Sequence, residues 1–292
     1  MNREFAERLR PPSTGRQQFR RCAQVISLML IVLSFALQLP AAPQYDGSTN
    51  LLPNQSPWNW GYLALNTLPP FFNYQATIAA GDGVTTLDTT LQMSDRAGFA
   101  THIPSPFTYT DPDVVPLNLS SGFELDFAVK LLSEDHSGSA NRAGFSVIAL
   151  SSDATPMGIE LGFWTNEVWA QSDVFIKAES SGTFDTTSAL VNYRLVMQSS
   201  GYTLFANNTQ ILTGGLRNYS VSGFPYNQPN FTFFGDDTSS ADAKVQIASF
   251  NVVPEPATFV LGLEGSAMAL TIFRFVAWRR RRATTGVQTS QR

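Results

Sequence analysis

Between residues 120 and 253 hydrophobic and polar residues alternate with a period of two, the pattern of half-buried strands rather than helices. Phe123-Glu124-Leu125-Asp126-Phe127-Ala128-Val129-Lys130 sets apolar side chains on one face and mostly charge on the other. Val191, Tyr193, Leu195 and Met197 make a second such face. Tyr202, Leu204 and Ala206 make a third, joined to it through Ser199-Ser200-Gly201 as a hairpin. Asn207-Asn208 turns the chain into Thr209 to Leu212, and Gly214-Gly215 ends that run. In the last run, Lys244 to Val253, the pattern sets Val245, Ile247 and Ser249 against Gln246, Ala248 and Phe250. Phe145 to Leu150 and Ile159 to Trp164 are apolar throughout, which predicts central strands covered on both faces. Weaker strand patterns occupy Trp60 to Leu65, Val84 to Met93 and Val174 to Ala178. About twelve short strands with turn signals every 8 to 12 residues predict an all-β body, a two-sheet jelly-roll sandwich.

The two ends of the chain follow a different pattern. Arg3, Arg8, Arg10, Arg16, Arg20 and Arg21 precede Val25 to Leu39, apolar except for Ser27, Ser34 and Gln38, and Pro40-Ala41-Ala42-Pro43 follows. A basic head, an apolar middle and small residues predict a helical secretory signal peptide over residues 1–42; an uncleaved anchor is the alternative. Cys22 lies before the apolar segment, so it is not a lipoprotein cysteine, and it is the chain's one cysteine. At the other end Val253-Pro254-Glu255-Pro256 leads into an apolar stretch, residues 259–278, stopped by Arg279-Arg280-Arg281-Arg282. This arrangement predicts a transmembrane-type helix with its arginines kept cytoplasmic. Glu264 and Arg274 interrupt it, which suits a transient span better than a permanent one. Residues 254–282 resemble the PEP-CTERM sorting signal of bacterial exported proteins. That resemblance implies cleavage by an exosortase-type membrane protease, a transient stay in the inner membrane, and release to the cell envelope or outside. Residues 283–292 are then a short polar tail, and 43–253 is the mature domain.

Charge changes the picture of that domain. Residues 43–253 carry 7 Lys+Arg against 19 Asp+Glu, a net charge of −12 that the whole-chain value of −4 conceals. So acidic a body repels nucleic acid, leaving neutral polymers and divalent cations as the fitting partners. With no cysteine in it and only His102 and His136 in the chain, zinc or iron sites are not expected. Calcium takes loop carboxylates, and Asp236, Asp237 and Asp242 offer them, with Asp111-Pro112-Asp113 and Glu134-Asp135 as rivals. Otherwise no cofactor is expected.

The runs Tyr193-Arg194-Leu195-Val196, Gly201 to Asn208, Ile211 to Gly214 and Phe234 to Ala241 resemble the central hairpins and closing segment of concanavalin A-like lectin/glucanase domains. The resemblance covers roughly residues 120 to 253 and implies a sugar-directed sandwich. Within it Glu124-Leu125-Asp126-Phe127 resembles the start of the catalytic strand of laminarinase-type glucanases. A retaining mechanism needs a second carboxyl roughly 5 Å from the first, and Ala128 and Val129 stand where it belongs. Glu160 and Glu167 form another carboxylate pair, without a motif to support it. The expectation is therefore a non-catalytic export protein with polysaccharide as its partner; a divergent glycoside hydrolase or polysaccharide lyase of the same fold is the alternative. Flat rings stack on sugars, so Trp58, Trp60, Trp164 and Trp169 are the candidate ligand-binding residues, set against the commoner use of tryptophan in cores.

Overall fold

The alternating run from Phe123 is the spine of the molecule. The computed structural model describes residues 44–254, apart from 68, 70, 71, 104–108 and 111–114. In chain order the strands are β1 (Tyr45–Asp46), β2 (Gly61–Asn66), β3 (Thr77–Gly81), β4 (Val84–Asp88), β5 (Asp95–Ala100), β6 (His102–Ile103) and β7 (Tyr109–Thr110). Next come β8 (Phe123–Asp135), β9 (Ser146–Leu150), β10 (Gly158–Trp164), β11 (Glu167–Gln171) and β12 (Lys177–Ser180). The last five are β13 (Val191–Gln198), β14 (Gly201–Ala206), β15 (Thr209–Gly214), β16 (Phe231–Asp236) and β17 (Asp242–Pro254).

They form two large antiparallel sheets, and β6 and β7 pair separately as a two-stranded ribbon. The first runs β15-β14-β13-β8-β17-β4-β3, with β1 also on β17, and the second runs β12-β11-β10-β9-β16-β5-β2. This is the all-β two-sheet sandwich that the alternation predicts. Among the described residues no helix is long and apolar enough to cross a membrane. The expected signal helix (1–42) and transmembrane-type helix (259–278) lie outside the described residues.

The core lies between the sheets. Phe123, Leu125, Phe127, Val129 and Leu131 of β8 point into it with Val191, Tyr193, Leu195 and Met197 of β13. From the second sheet Val147, Ala149, Leu161, Phe163, Val168 and Ala170 meet them. At one side Phe234 stacks on Phe250 at 4.7 Å and takes Trp60 edge-on at 4.9 Å, so aromatic pairs add to simple burial.

Two elements depart from the pattern. In β17 the register shifts between Ile247 and Ser249, so Ala248 is a bulge. An extra residue reverses the parity of a strand, and Phe250 and Val252 join Val245 and Ile247 in the core instead of opposing them. Between the apolar run ending at Trp164 and Trp169, only Thr165 and Asn166 turn; Glu167 already pairs with Trp164, opening β11.

Candidate functional site

β9 and β10 are buried on both faces, as their composition predicts, because a covering segment, residues 216–230, lies across the outer face of the second sheet. Arg217 and Gly158 exchange backbone hydrogen bonds of 2.8 and 2.9 Å. Tyr219 fills the fork where β11 leaves β10: its hydroxyl accepts from the Glu160 amide at 3.3 Å and donates to the Gln171 carbonyl at 2.7 Å. Phe175, from the β11–β12 connection, packs on Tyr226 and Tyr219.

Beneath this cover lies an ionisable network. Glu160 is 2% exposed, in a strand whose other outward residues are Gly158, Gly162 and Trp164. The Tyr226 hydroxyl sits 2.5 Å from Glu160 Oε2 and 2.9 Å from Asp237 Oδ2. Arg142 Nη2 donates to Asp237 Oδ2 at 2.7 Å, while Nη1 lies 3.5 Å from Glu160 Oε1. The Arg142 guanidinium also stands over the Phe175 ring at 5.1 Å. One phenol hydrogen cannot serve two carboxylates, so the second proton belongs to Glu160. Burial first, and then the negative charge of Asp237, raise the Glu160 carboxyl to about 8, and Arg142 offsets only part of this. Glu160 thus carries its proton at neutral pH, Asp237 pairs with Arg142, and the group as a whole is neutral.

The outer face of the first sheet is open and polar. Asp126, Asn192, Arg194, Asn208 and Ser249 line a hollow of about 320 Å³, with Phe127 and Tyr193 beneath. Register places Asp126 of β8 between Arg194 of β13 and Asn251 of β17. The Arg194 guanidinium is stacked 4.5 Å above Phe205 and reaches Glu124 at 3.5 Å. Asp126 accepts no hydrogen bond from a described residue, and its half-burial raises its carboxyl against the opposing pull of Arg194. Asn207 Oδ1 accepts from the Asn192 amide, pinning the turn that presents Asn208.

The residues singled out in the sequence are dispersed. Trp60 belongs to the core, its Nε1 donating to the Gln44 carbonyl, and half-buried Trp58 meets Tyr45 edge-on. Trp169 is 1% exposed and lies across Gly162, where any Cβ would approach the indole to 2.6 Å. Trp164 is 7% exposed; His136 stacks on it at 4.1 Å and Lys177 Nζ stands 4.2 Å from its ring. These rings are occupied by their own neighbours, so the core use of tryptophan prevails over a sugar platform.

The three aspartates do not converge either. Asp236 binds Thr89 Oγ1 and the Thr238 amide, Asp237 binds Arg142, and Asp242 faces Asp135 across β17 and β8. Among the described residues no three His, Cys, Asp or Glu side chains are grouped to hold a metal ion. Asp111 and Asp113 lie outside the described residues. Glu134 is taken by His136 Nδ1 at 2.8 Å and Asp135 by the Ser137 amide. Glu124 and Asp126 share the outer face of β8, with Ala128 and Val129 where a second glutamate would stand. Glu167 is bound to Lys177 and is no partner of Glu160.

Sequence reasoning missed Arg142 and Tyr226, and assigned Asp237 to a metal. The available signal was Glu160 itself: a lone acid inside Ile159-Glu160-Leu161, in a strand buried on both faces, requires a compensating cation or a proton.

No family model matches the chain, and no curated protein matches it. Among solved structures it is similar to a carbohydrate esterase from the Shiga toxin-encoding bacteriophage phi24B, 15% identical, covering 74% of this chain and 100% of that one with a TM-score of 0.48. It is also similar to domain 4 of an extracellular GH43 arabinanase from Geobacillus stearothermophilus, in complex with arabinotriose. That pair is 13% identical over 73% and 94% of the two chains, with a TM-score of 0.37. An alginate lyase, A1-II′, aligns at 12% identity over 61% and 82%, with a TM-score of 0.36. At these scores the chemistry of this chain is read from its own side chains.

Proposed function

We propose that this chain is an exported bacterial protein of the cell envelope or extracellular matrix, whose concanavalin A-like sandwich binds polysaccharide without cleaving it. The basic-apolar N-terminus and the Val253-Pro254-Glu255-Pro256 tail support export, exosortase-type processing at the inner membrane and release. The observation that carries binding is the hollow on the first sheet. Its Asp126 carboxylate accepts from hydroxyls, Asn192 and Asn208 both donate and accept, and Arg194 is a donor held rigid on Phe205. Such a set matches neighbouring sugar hydroxyls.

In affinity electrophoresis against neutral polysaccharides, Asp126→Asn is expected to weaken retention about tenfold, since a hydrogen bond to a charged group contributes roughly 1.5–3 kcal/mol. Its melting temperature should stay level or rise, because the substitution removes a half-buried charge. Unchanged retention would place binding elsewhere. For export, mass spectrometry of cells and medium should find the protein shortened at both ends; an intact chain confined to the cytoplasm contradicts this half of the reading.

A divergent hydrolase or lyase has one feature in its favour, the Glu160 carboxyl raised by burial and by Asp237, since a carboxyl held above its ordinary range is what a general acid needs. Against it, Tyr226 and Arg142 occupy that carboxyl and the covering segment seals it. Prolonged incubation with polysaccharides should release neither reducing ends nor unsaturated products. Their appearance, and their loss in Glu160→Gln, would establish the enzyme instead.

A further inference from the structure

We propose that the outer face of the second sheet carries a separate site, a groove for a small aryl or short-chain acyl carboxylate. Beside the sealed network Leu63, Leu65, Ile148, Phe231 and Phe233 wall a groove of about 160 Å³, and Phe224 of the covering segment lines it while 42% exposed. Gly98 lets the Phe233 ring lie flat on β5, since a Cβ there would come within 2.4 Å of Phe233 Cε2. A void of roughly 150 Å³ lined by Leu, Ile and Phe holds a benzene ring, so a single ring or a short acyl chain is the body that fits.

Charge selects the head group. Three ionisable residues line the groove: Arg96, Asp236 and Asp237. Asp236 is committed to Thr89 and the Thr238 amide, and Asp237 Oδ2 to Arg142 and Tyr226, while Asp237 Oδ1 is buried with no hydrogen-bond partner among the described residues. Arg96, directly opposite Leu65 in the register of β2 and β5, is exposed and has no ion pair or side-chain hydrogen bond among the described residues. An apolar wall ending in one free guanidinium is complementary to an apolar body carrying a carboxylate, which Arg binds through two parallel hydrogen bonds. The body's net charge of −12 opposes polyanions at longer range, so a small monoanion is selected over an acidic polymer. The site is on the opposite sheet from the saccharide hollow and does not depend on it.

The test uses the full chain in lipid nanodiscs, titrated with 4-fluorobenzoate and with its neutral twin 4-fluorobenzamide, and read by fluorine line broadening. Benzoate is expected to bind at least tenfold more tightly than benzamide. Arg96→Gln, a change at an exposed side chain, should erase that preference, and Arg96→Lys should restore part of it. Leu63→Trp, which fills the groove from β2, should abolish binding of both probes. Equal binding of the two probes overturns the proposal. So does a benzoate signal that survives both Arg96→Gln and Leu63→Trp, or no broadening up to the solubility limit.

Discussion

Stability against urea should fall as pH rises from 5 to 8.5, and Glu160→Gln should remove part of that fall. The sign follows from the proton count. The folded state holds the Glu160 proton up to about 8, against an ordinary value of 4.5 in the unfolded chain. Between those limits the unfolded state binds fewer protons, so raising the pH favours unfolding. The contribution is fully present below the unfolded value and is lost as pH passes through the folded one. At 1.36 kcal/mol per pKa unit the loss is on the order of 3–5 kcal/mol, a large share of the total for a domain this size. Glutamine keeps the shape and the Tyr226 contact without a proton to lose, so the variant should be the more stable protein at pH 8.5. Asp236, raised well above its ordinary value by burial, and Asp242, raised to about 6 by burial and then by Asp135, leave the variant a residual slope of the same sign. A urea midpoint in the unsubstituted protein that does not change over this range would mean that Glu160 is ionised beside Asp237, contrary to the shared-proton network. Asp88, Asp135 and Asp185, held low chiefly by hydrogen bonds to Thr90, Ser137, Thr187 and Ser188, act only in acid and do not disturb this window.

Phe234→Ala should cost about 3–5 kcal/mol, the usual range for emptying a phenylalanine site in a core. Its ring is fully buried between Trp60, Phe99 and Phe250, at centroid distances of 4.9, 5.3 and 4.7 Å. These come from β5, β17 and the residue that precedes β2, so the void would open where both sheets meet and could not close by moving one side chain. For a domain of about 200 residues the melting temperature should drop by roughly 6–20 °C at 2–4 °C per kcal/mol. Val221→Ala, at a residue 89% exposed on the covering segment, should stay within about 0.5 kcal/mol. Calorimetry of the pair decides it: similar melting temperatures would mean that the Phe234 ring is not a keystone.

The first sheet was largely legible because its inner and outer faces differ. Phe123 to Lys130 and Val191 to Met197 alternate apolar with polar, and one face of each is buried. The second sheet is covered on both sides at β9 and β10, so alternation is lost there and those two strands stand out by being apolar throughout. β5 escaped notice because Arg96 and Gly98 interrupt it, and β11 because Asn166-Glu167 imitates a turn. Tryptophans at polar, proline-flanked positions looked available for sugar, yet folding carried them inward. The ionisable network was illegible for a different reason. Arg142 comes from the loop between β8 and β9, Asp237 directly follows β16, and only the covering segment, which has no periodic pattern, brings Tyr226 across the sheet to Glu160. In the hollow Asp126 was seen only as part of the Glu124-Leu125-Asp126-Phe127 run, because its polar neighbours, Arg194 directly opposite on β13 and Asn192 two residues along, come from a distant part of the chain.

The closing strand also has a mechanical meaning. β17 pairs with β8 along its whole length, from Asp242 to Pro254, and its other edge holds β4 and β1. Antiparallel ladder bonds stand perpendicular to the strand, so tension entering through the tail would pull along β17 and load the rungs on both flanks together, in shear. A body tugged by its C-terminal leash therefore resists as a unit, where a peripheral strand would peel away one rung at a time.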